Sequence, residues 1–137
     1  LYHTAHVLHG KVIDYDKLIA YLQDKHQNGF DRRFAYVSQT DNSRSFETYL
    51  RSRQFVVRSK TIRENKLDTF DVDLTVDAMS FNDKLTVICS SSLNLLPLVK
   101  YINDQGHLAI IQSCGIPHLL KELCSASELP PSLMRAA

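Results

Sequence analysis

Residues 85–112 read Leu85-Thr-Val-Ile-Cys-Ser-Ser-Ser-Leu-Asn-Leu-Leu-Pro-Leu-Val-Lys-Tyr-Ile-Asn-Asp-Gln-Gly-His-Leu-Ala-Ile-Ile-Gln112. Leu85 to Cys89 is short, apolar and β-branched, which predicts a strand. A serine-rich turn follows, then an amphipathic helix with Pro97 in its first turn, Gly106, and a second apolar strand from Leu108 to Gln112. Strand, crossover helix and strand in so short a stretch make a βαβ unit, and such units build parallel sheets. Ligands of parallel sheets lie beyond the carboxyl ends of the strands. That place is held here by Ser90, Ser91, Ser92, Leu93 and Asn94.

The rest of the chain alternates in the same way. Asp14 to Lys25 has apolar residues three and four apart, a helix with an aspartate N-cap. Tyr2 to Leu8 is expected to form a helical turn that Gly10 stops. Arg33 to Ser38 reads as a strand, Gln39 to Asn42 as a polar loop, and Ser43 as the cap of a helix whose inner face is Phe46, Tyr49 and Leu50. Phe55 to Lys60 reads as a strand. A helix from about Thr69 to Phe81 carries Phe70, Leu74, Ala78 and Phe81 along one side, and Pro117 opens a last helix to Cys124. This pattern predicts a three-layer α/β domain with a mainly parallel central sheet and four strands. Residues 1–125 are assigned to the domain and 126–137, with Pro130-Pro131, to a loosely attached tail.

Composition narrows the class. The chain has 137 residues, 44% apolar and 23% charged, with a formal charge of +1. That suits one soluble globular domain and points to no partner through net charge alone. No apolar run approaches the roughly 20 residues of a membrane span, so no membrane association is expected. The start lacks the pattern of a signal peptide. Cys89, Cys114 and Cys124 have no metal-ligand spacing and make an odd count. Free thiols in a reducing, intracellular and cytoplasmic setting are expected, with Cys89 buried in its strand. His3, His6 and His9 recur every third residue without the spacing of a zinc pair. No phosphate-binding glycine loop and no nucleophile elbow is present.

Asp68, Asp71, Asp73 and Asp77 crowd the beginning of one helix. The helix dipole and its free N–H groups account for one or two of them, but not for Asp77, nearly two turns in. Carboxylates facing a cleft can hold Mg²⁺ or Mn²⁺; otherwise they form a solvated face. A second charged feature is basic. Arg51, Arg53, Arg58, Lys60, Arg63 and Lys66 accompany a single acid, Glu64. They make either a solubilising edge or a track for a phosphate backbone beside which Tyr36 and Tyr49 could stack bases, although Tyr49, on the apolar face with Phe46, reads better as core.

Asp71-Val-Asp73-Leu-Thr-Val-Asp77-Ala-Met resembles the D-V-D-L-x-x-D-A motif of NYN domains, the LabA-like branch of the PIN-like nuclease superfamily. Lys11 to Leu18 is similar to that family's second helix, and Phe34-Ala-Tyr36 to its aromatic second strand. Leu85 to Ile88 with Leu95 to Gly106 resembles its next strand, turn and glycine-ended helix. The resemblance implies a PIN-like, Rossmann-like fold and RNA as partner. It also implies acids at strand ends that hold one or two divalent cations, activating water against a phosphodiester.

Two departures qualify it. Ser92 and Asn94 stand where the family has aspartates, and the family's first strand with its acid is not in the chain. Asp71 then remains as metal ligand and catalytic residue, with Asp73, Asp77 and Ser92 assisting. Asn94 would orient the metal or its water. Arg58, Lys60, Arg63 and Lys66 would hold RNA phosphate, and Ser90 and Ser91 an anion at the helix start, where Ser92 or Asn94 also serves as a plain cap. Fewer carboxylates mean a weakened or lost Mg²⁺ or Mn²⁺ site. The expectation is a degenerate site in an RNA-binding or protein-interaction module. The alternatives are a ribonuclease completed by an acid outside this chain, and a subunit or homo-oligomer whose open sheet a protein partner completes.

Overall fold

A computed structural model of the chain describes residues 11–26, 32–39, 43–61, 70–81, 83–90, 92–113 and 116–136. They divide into two compact units, Leu1–Asp68 with Ser132–Ala137, and Thr69–Pro131. The helical turn expected at Tyr2 to Leu8, most of the Gln39 to Asn42 loop, the histidines at 3, 6 and 9 and Cys114 lie outside the described residues.

In the first unit, strand β1 (Lys11–Ile13) leads into helix α1 (Tyr15–Lys25). Asp14 is the N-cap, its carboxylate accepting from the Lys17 amide at 3.3 Å, as an aspartate before an amphipathic run should. Strand β2 (Phe34–Ser38), helix α2 (Ser43–Ser52) and strand β3 (Val56–Lys60) follow. β2 and β3 are parallel, in a register running from Phe34 opposite Val56 to Ser38 opposite Lys60. Ala35, Val37 and Leu50 form a core, with Phe46, Tyr49, Phe55 and Val57 packed against it. Successive strand residues face opposite ways. Val57 on that core therefore puts Arg58 and Lys60 on the other face of β3, with Tyr36 opposite Arg58.

Helix α2 ends in a Schellman motif: the Phe55 amide donates to the Leu50 carbonyl and the Gln54 amide to that of Arg51. Gln54 takes the left-handed conformation, φ 67°, that glycine usually supplies there.

In the second unit, helix α3 (Asp71–Phe81) precedes strand β4 (Leu85–Ile88), a 3-10 turn (Leu93–Leu95) and helix α4 (Leu96–Asp104). Strand β5 (Leu108–Ser113), helix α5 (His118–Leu123) and strand β6 (Ala126–Glu128) complete it. The sheet order is β4-β5-β6, parallel throughout, with Ile88 opposite Ile111 and Ser113 opposite Glu128. The core is Ile88, Leu95, Leu98, Val99, Ile102, Ala109, Ile111, Ile116 and Leu120, onto which Leu74 and Ala78 pack. Helix α4 closes with a second Schellman motif, His107 to Ile102 and Gly106 to Asn103. Gly106 has φ +79° with nothing within 4 Å of an added Cβ, so the backbone and not space requires glycine there.

The mixed α/β class with mainly parallel sheets matches the sequence, and the βαβ unit of residues 85–112 forms as read. Several details differ, beginning with the strand number: seven among the described residues where four were expected, because three of them are only three residues long. Lys11–Ile13 is a strand and not part of a helix. Ser43 lies inside the first turn of α2, where its hydroxyl reaches Glu47 Oε2 at 3.2 Å and both are buried. Phe81 is exposed, although Phe70 is buried. Cys89 follows its strand and is half-buried.

The segment read as a loose tail is tied at both ends. Ala126–Glu128 pairs with β5, and strand β7 (Met134–Ala136) pairs antiparallel with β1, Ile13 opposite Met134. Leu129 and Leu133 are buried, which anchors the stretch that Pro130-Pro131 marked as irregular.

Candidate functional site

The carboxyl ends of β4 and β5 lie side by side, because Ile88 pairs with Ile111. Past β4, Ser92 caps the 3-10 turn: its hydroxyl accepts from the Asn94 amide at 3.3 Å. Ser90 Oγ accepts in turn from the Ser92 amide at 3.2 Å. At the end of β5, Gln112 and Ser113 are completely buried, and Gln112 Nε2 donates to Ser127 Oγ on β6 at 3.2 Å. No sequence signal marked these two. They end an apolar run and read as its polar boundary.

Asp71 opens α3 and meets the capped turn. Its Oδ2 accepts from Ser92 Oγ at 2.8 Å and from Asn94 Nδ2 at 3.1 Å. The two positions read as substituted metal ligands therefore both donate to Asp71. Thr75 Oγ1, one turn on, donates to the Asp71 carbonyl at 2.7 Å. The cap and the contact to Asp71 coexist on Ser92, since a hydroxyl has one proton to give and lone pairs to receive.

The other aspartates do not join. In an α-helix residues advance by about 100°, so Asp73 and Asp77 stand about 200° and 240° round from Asp71. Leu74 and Ala78, on the Asp71 side, pack on the core. Asp73 and Asp77 are half-buried and leave the helix on a different face from Asp71. The expected metal set of Asp71, Asp73, Asp77 and Ser92 is thus divided by the helix. Among the described residues no group of three or more His, Cys, Asp or Glu side chains is placed to hold a metal ion. One carboxylate oxygen already facing two hydrogen-bond donors is a poor donor set for a hard divalent cation, which wants several charged or carbonyl oxygens.

The basic stretch is thinned as well. Arg53 Nε is bound to Asp16 Oδ1 at 2.7 Å, and Arg51 lies 3.7 Å from Glu47. Arg58 is exposed and stacks over Phe34, 5.5 Å from its ring centre. Lys60 is half-buried on the same strand face. Tyr49 packs on the core, as its place on the apolar face with Phe46 suggests, and its hydroxyl donates to Asp16 at 2.8 Å; Tyr36 is buried, which removes it as a free stacking platform. Arg63, Lys66 and Ser91 lie outside the described residues.

A family model for the NYN domain matches residues 1–129, nearly the whole chain. The chain belongs to the NYN domain family. NYN domains are nuclease-type modules of PIN-like fold and are typically metal-dependent. No curated protein and no solved structure matches the chain. No helix among the described residues is long and apolar enough to cross a membrane.

Proposed function

We propose that this NYN domain, of the LabA-like branch by its Asp71-Val-Asp73-Leu motif, is a pseudonuclease that holds RNA and does not cleave it efficiently. The observation that carries this reading is the pair of neutral donors, Ser92 and Asn94, on Asp71 Oδ2. A phosphodiester hydrolase of this kind needs countercharge for one or two cations and a water made nucleophilic by them. With two carboxylates fewer, the attraction for a divalent ion falls by roughly several kcal/mol. Arg58 and Lys60 support RNA as the partner, since basic side chains on one strand face can follow a phosphate backbone.

Labelled single-stranded RNA incubated with Mn²⁺ tests the proposal. The expected result is salt-dependent retention with no cleavage above that of buffer. Cleavage abolished by Asp71→Ala would show a working ribonuclease whose missing acid comes from elsewhere, and would overturn it. Failure to retain RNA at low salt removes the RNA role. A concentration-dependent mass in sedimentation would then favour a subunit that acts through protein contacts.

A further inference from the structure

We infer that Asp71 is a metal-free clasp, a carboxylate whose role is to fasten the first turn of α3 to the turn that starts α4. The inference rests on the reading of this site as one without a cation, and is independent of whether RNA binds.

Its basis is the direction of the hydrogen bonds. An ionised carboxylate only accepts, so the amide nitrogen of Asn94, and not its oxygen, must face Asp71. The Ser92 proton is committed to the same oxygen while its lone pair takes the Asn94 amide. Ser90 then takes the Ser92 amide. Each of these contacts has the correct polarity, and the Asp71 carboxylate is met by two donors fixed in place. Hydrogen bonds to a charged acceptor are stronger than those between neutral groups. The helix side agrees: Phe70 is buried beside Asp71, and Leu74 packs one turn later, so the carboxylate is held where the turn meets it. A divalent cation at Oδ2 would have to displace both donors and turn the Asn94 amide over. It would gain the charge of Asp71 in return.

Thermal unfolding of the purified chain, in EDTA and in millimolar Mn²⁺, tests the clasp. Wild type should unfold at the same temperature in both. Asn94→Asp is isosteric and replaces a donor with a second carboxylate against Asp71. It should lower Tm by about 3–6 °C in EDTA and regain at least half in Mn²⁺. Ser92→Ala should lower Tm by a similar amount, and Ser92→Thr, which keeps the hydroxyl, should restore it. Asn94 is exposed, and an exposed Asn→Asp change without such a contact shifts Tm by no more than about 1–2 °C.

A shift that small overturns the clasp, as does a drop that Mn²⁺ does not relieve. If Asn94→Asp fails to fold, the Ser92 pair decides, with equal loss in Ala and Thr overturning the clasp. A wild-type Tm that rises in Mn²⁺ and ceases to do so in Asp71→Asn also overturns it. The RNA assay on wild type is read separately, so loss of the RNA role leaves these temperatures unmoved.

Discussion

Asp71 and Asp73, two residues apart in the first turn of α3, leave the helix on nearly opposite sides, about 200° apart. The acidic motif is therefore two features joined by one helix. Asp71 meets Ser92 and Asn94, while Asp73 and Asp77 form a partly exposed carboxylate pair four residues apart, where like charges repel slightly. Asp73→Asn with Asp77→Asn should change stability by less than about 0.5 kcal/mol. Asp71→Asn should cost about 1–3 kcal/mol by weakening two charge-assisted bonds. Urea denaturation of the three proteins checks the division. Equal losses would mean that all three acids act at one place.

How far the sequence reveals this depends on distance along the chain. The βαβ unit was legible because strand, helix and glycine stop each leave a local pattern. The nearness of Asp71 to Ser92 and Asn94 followed from the family resemblance, but the polarity of the contacts did not, since residue names do not say which atom faces which. Strands β1, β6 and β7 have three residues each, too few for a period, and Lys11 finds its partner at Ala136. The Arg53–Asp16 pair spans 37 positions, so Arg53 read as part of a free basic run.

Arg58 and Lys60 are the described basic residues that the RNA reading retains. For a single strand, the slope of log K against log salt changes by about 0.7 for each phosphate contact. Arg58→Ala with Lys60→Ala should therefore reduce that slope by about 1.4 and weaken binding similarly for all sequences. Filter retention of labelled RNA over a salt series measures it. An unchanged slope would assign both residues to a solvated surface.

Asp16 gives a pH signature. The hydrogen bond from Arg53, and next that from Tyr49, hold its carboxyl below the ordinary 3.8. Burial, then the Asp16 carboxylate, push the Tyr49 hydroxyl up, so it stays a donor. A carboxyl depressed in the folded state contributes stability above its unfolded value, and that contribution disappears as pH falls through the folded value. Asp16→Asn should thus lower Tm modestly at neutral pH, the pair being solvent-exposed. The difference from wild type should close below about pH 3.8. A gap that is constant with pH would mean that the carboxylate charge does not act there.

Gln54 occupies the position after α2 that requires φ above zero, and a side chain there costs roughly 1 kcal/mol. Gln54→Gly should stabilise the protein by about 0.5–1 kcal/mol, against the usual trend for glycine, with the denaturant slope unchanged. The converse change, Gly106→Ala, should destabilise by about 1 kcal/mol, because space is open but the backbone is left-handed. Both changes act on Schellman motifs, so opposite signs in urea unfolding would confirm conformation as the cause.

The carboxyl-terminal segment can be weighed by one side chain. Leu133 is 6% exposed, and its carbonyl accepts from the Asp14 amide at 2.8 Å, next to the β1–β7 pair. Asp14 is also the cap of α1, so the segment holds the point at which strand becomes helix. In a loose tail, Leu133→Ala would cost less than about 0.5 kcal/mol. In a buried site it removes three carbons from the core and should cost about 2–4 kcal/mol. Removing residues 134–137 should add to this by taking away the ladder to β1, with faster amide exchange at Val12 and Asp14. A stability loss in Leu133→Ala without faster exchange there would place its contribution in side-chain packing alone, and not in the strand pair.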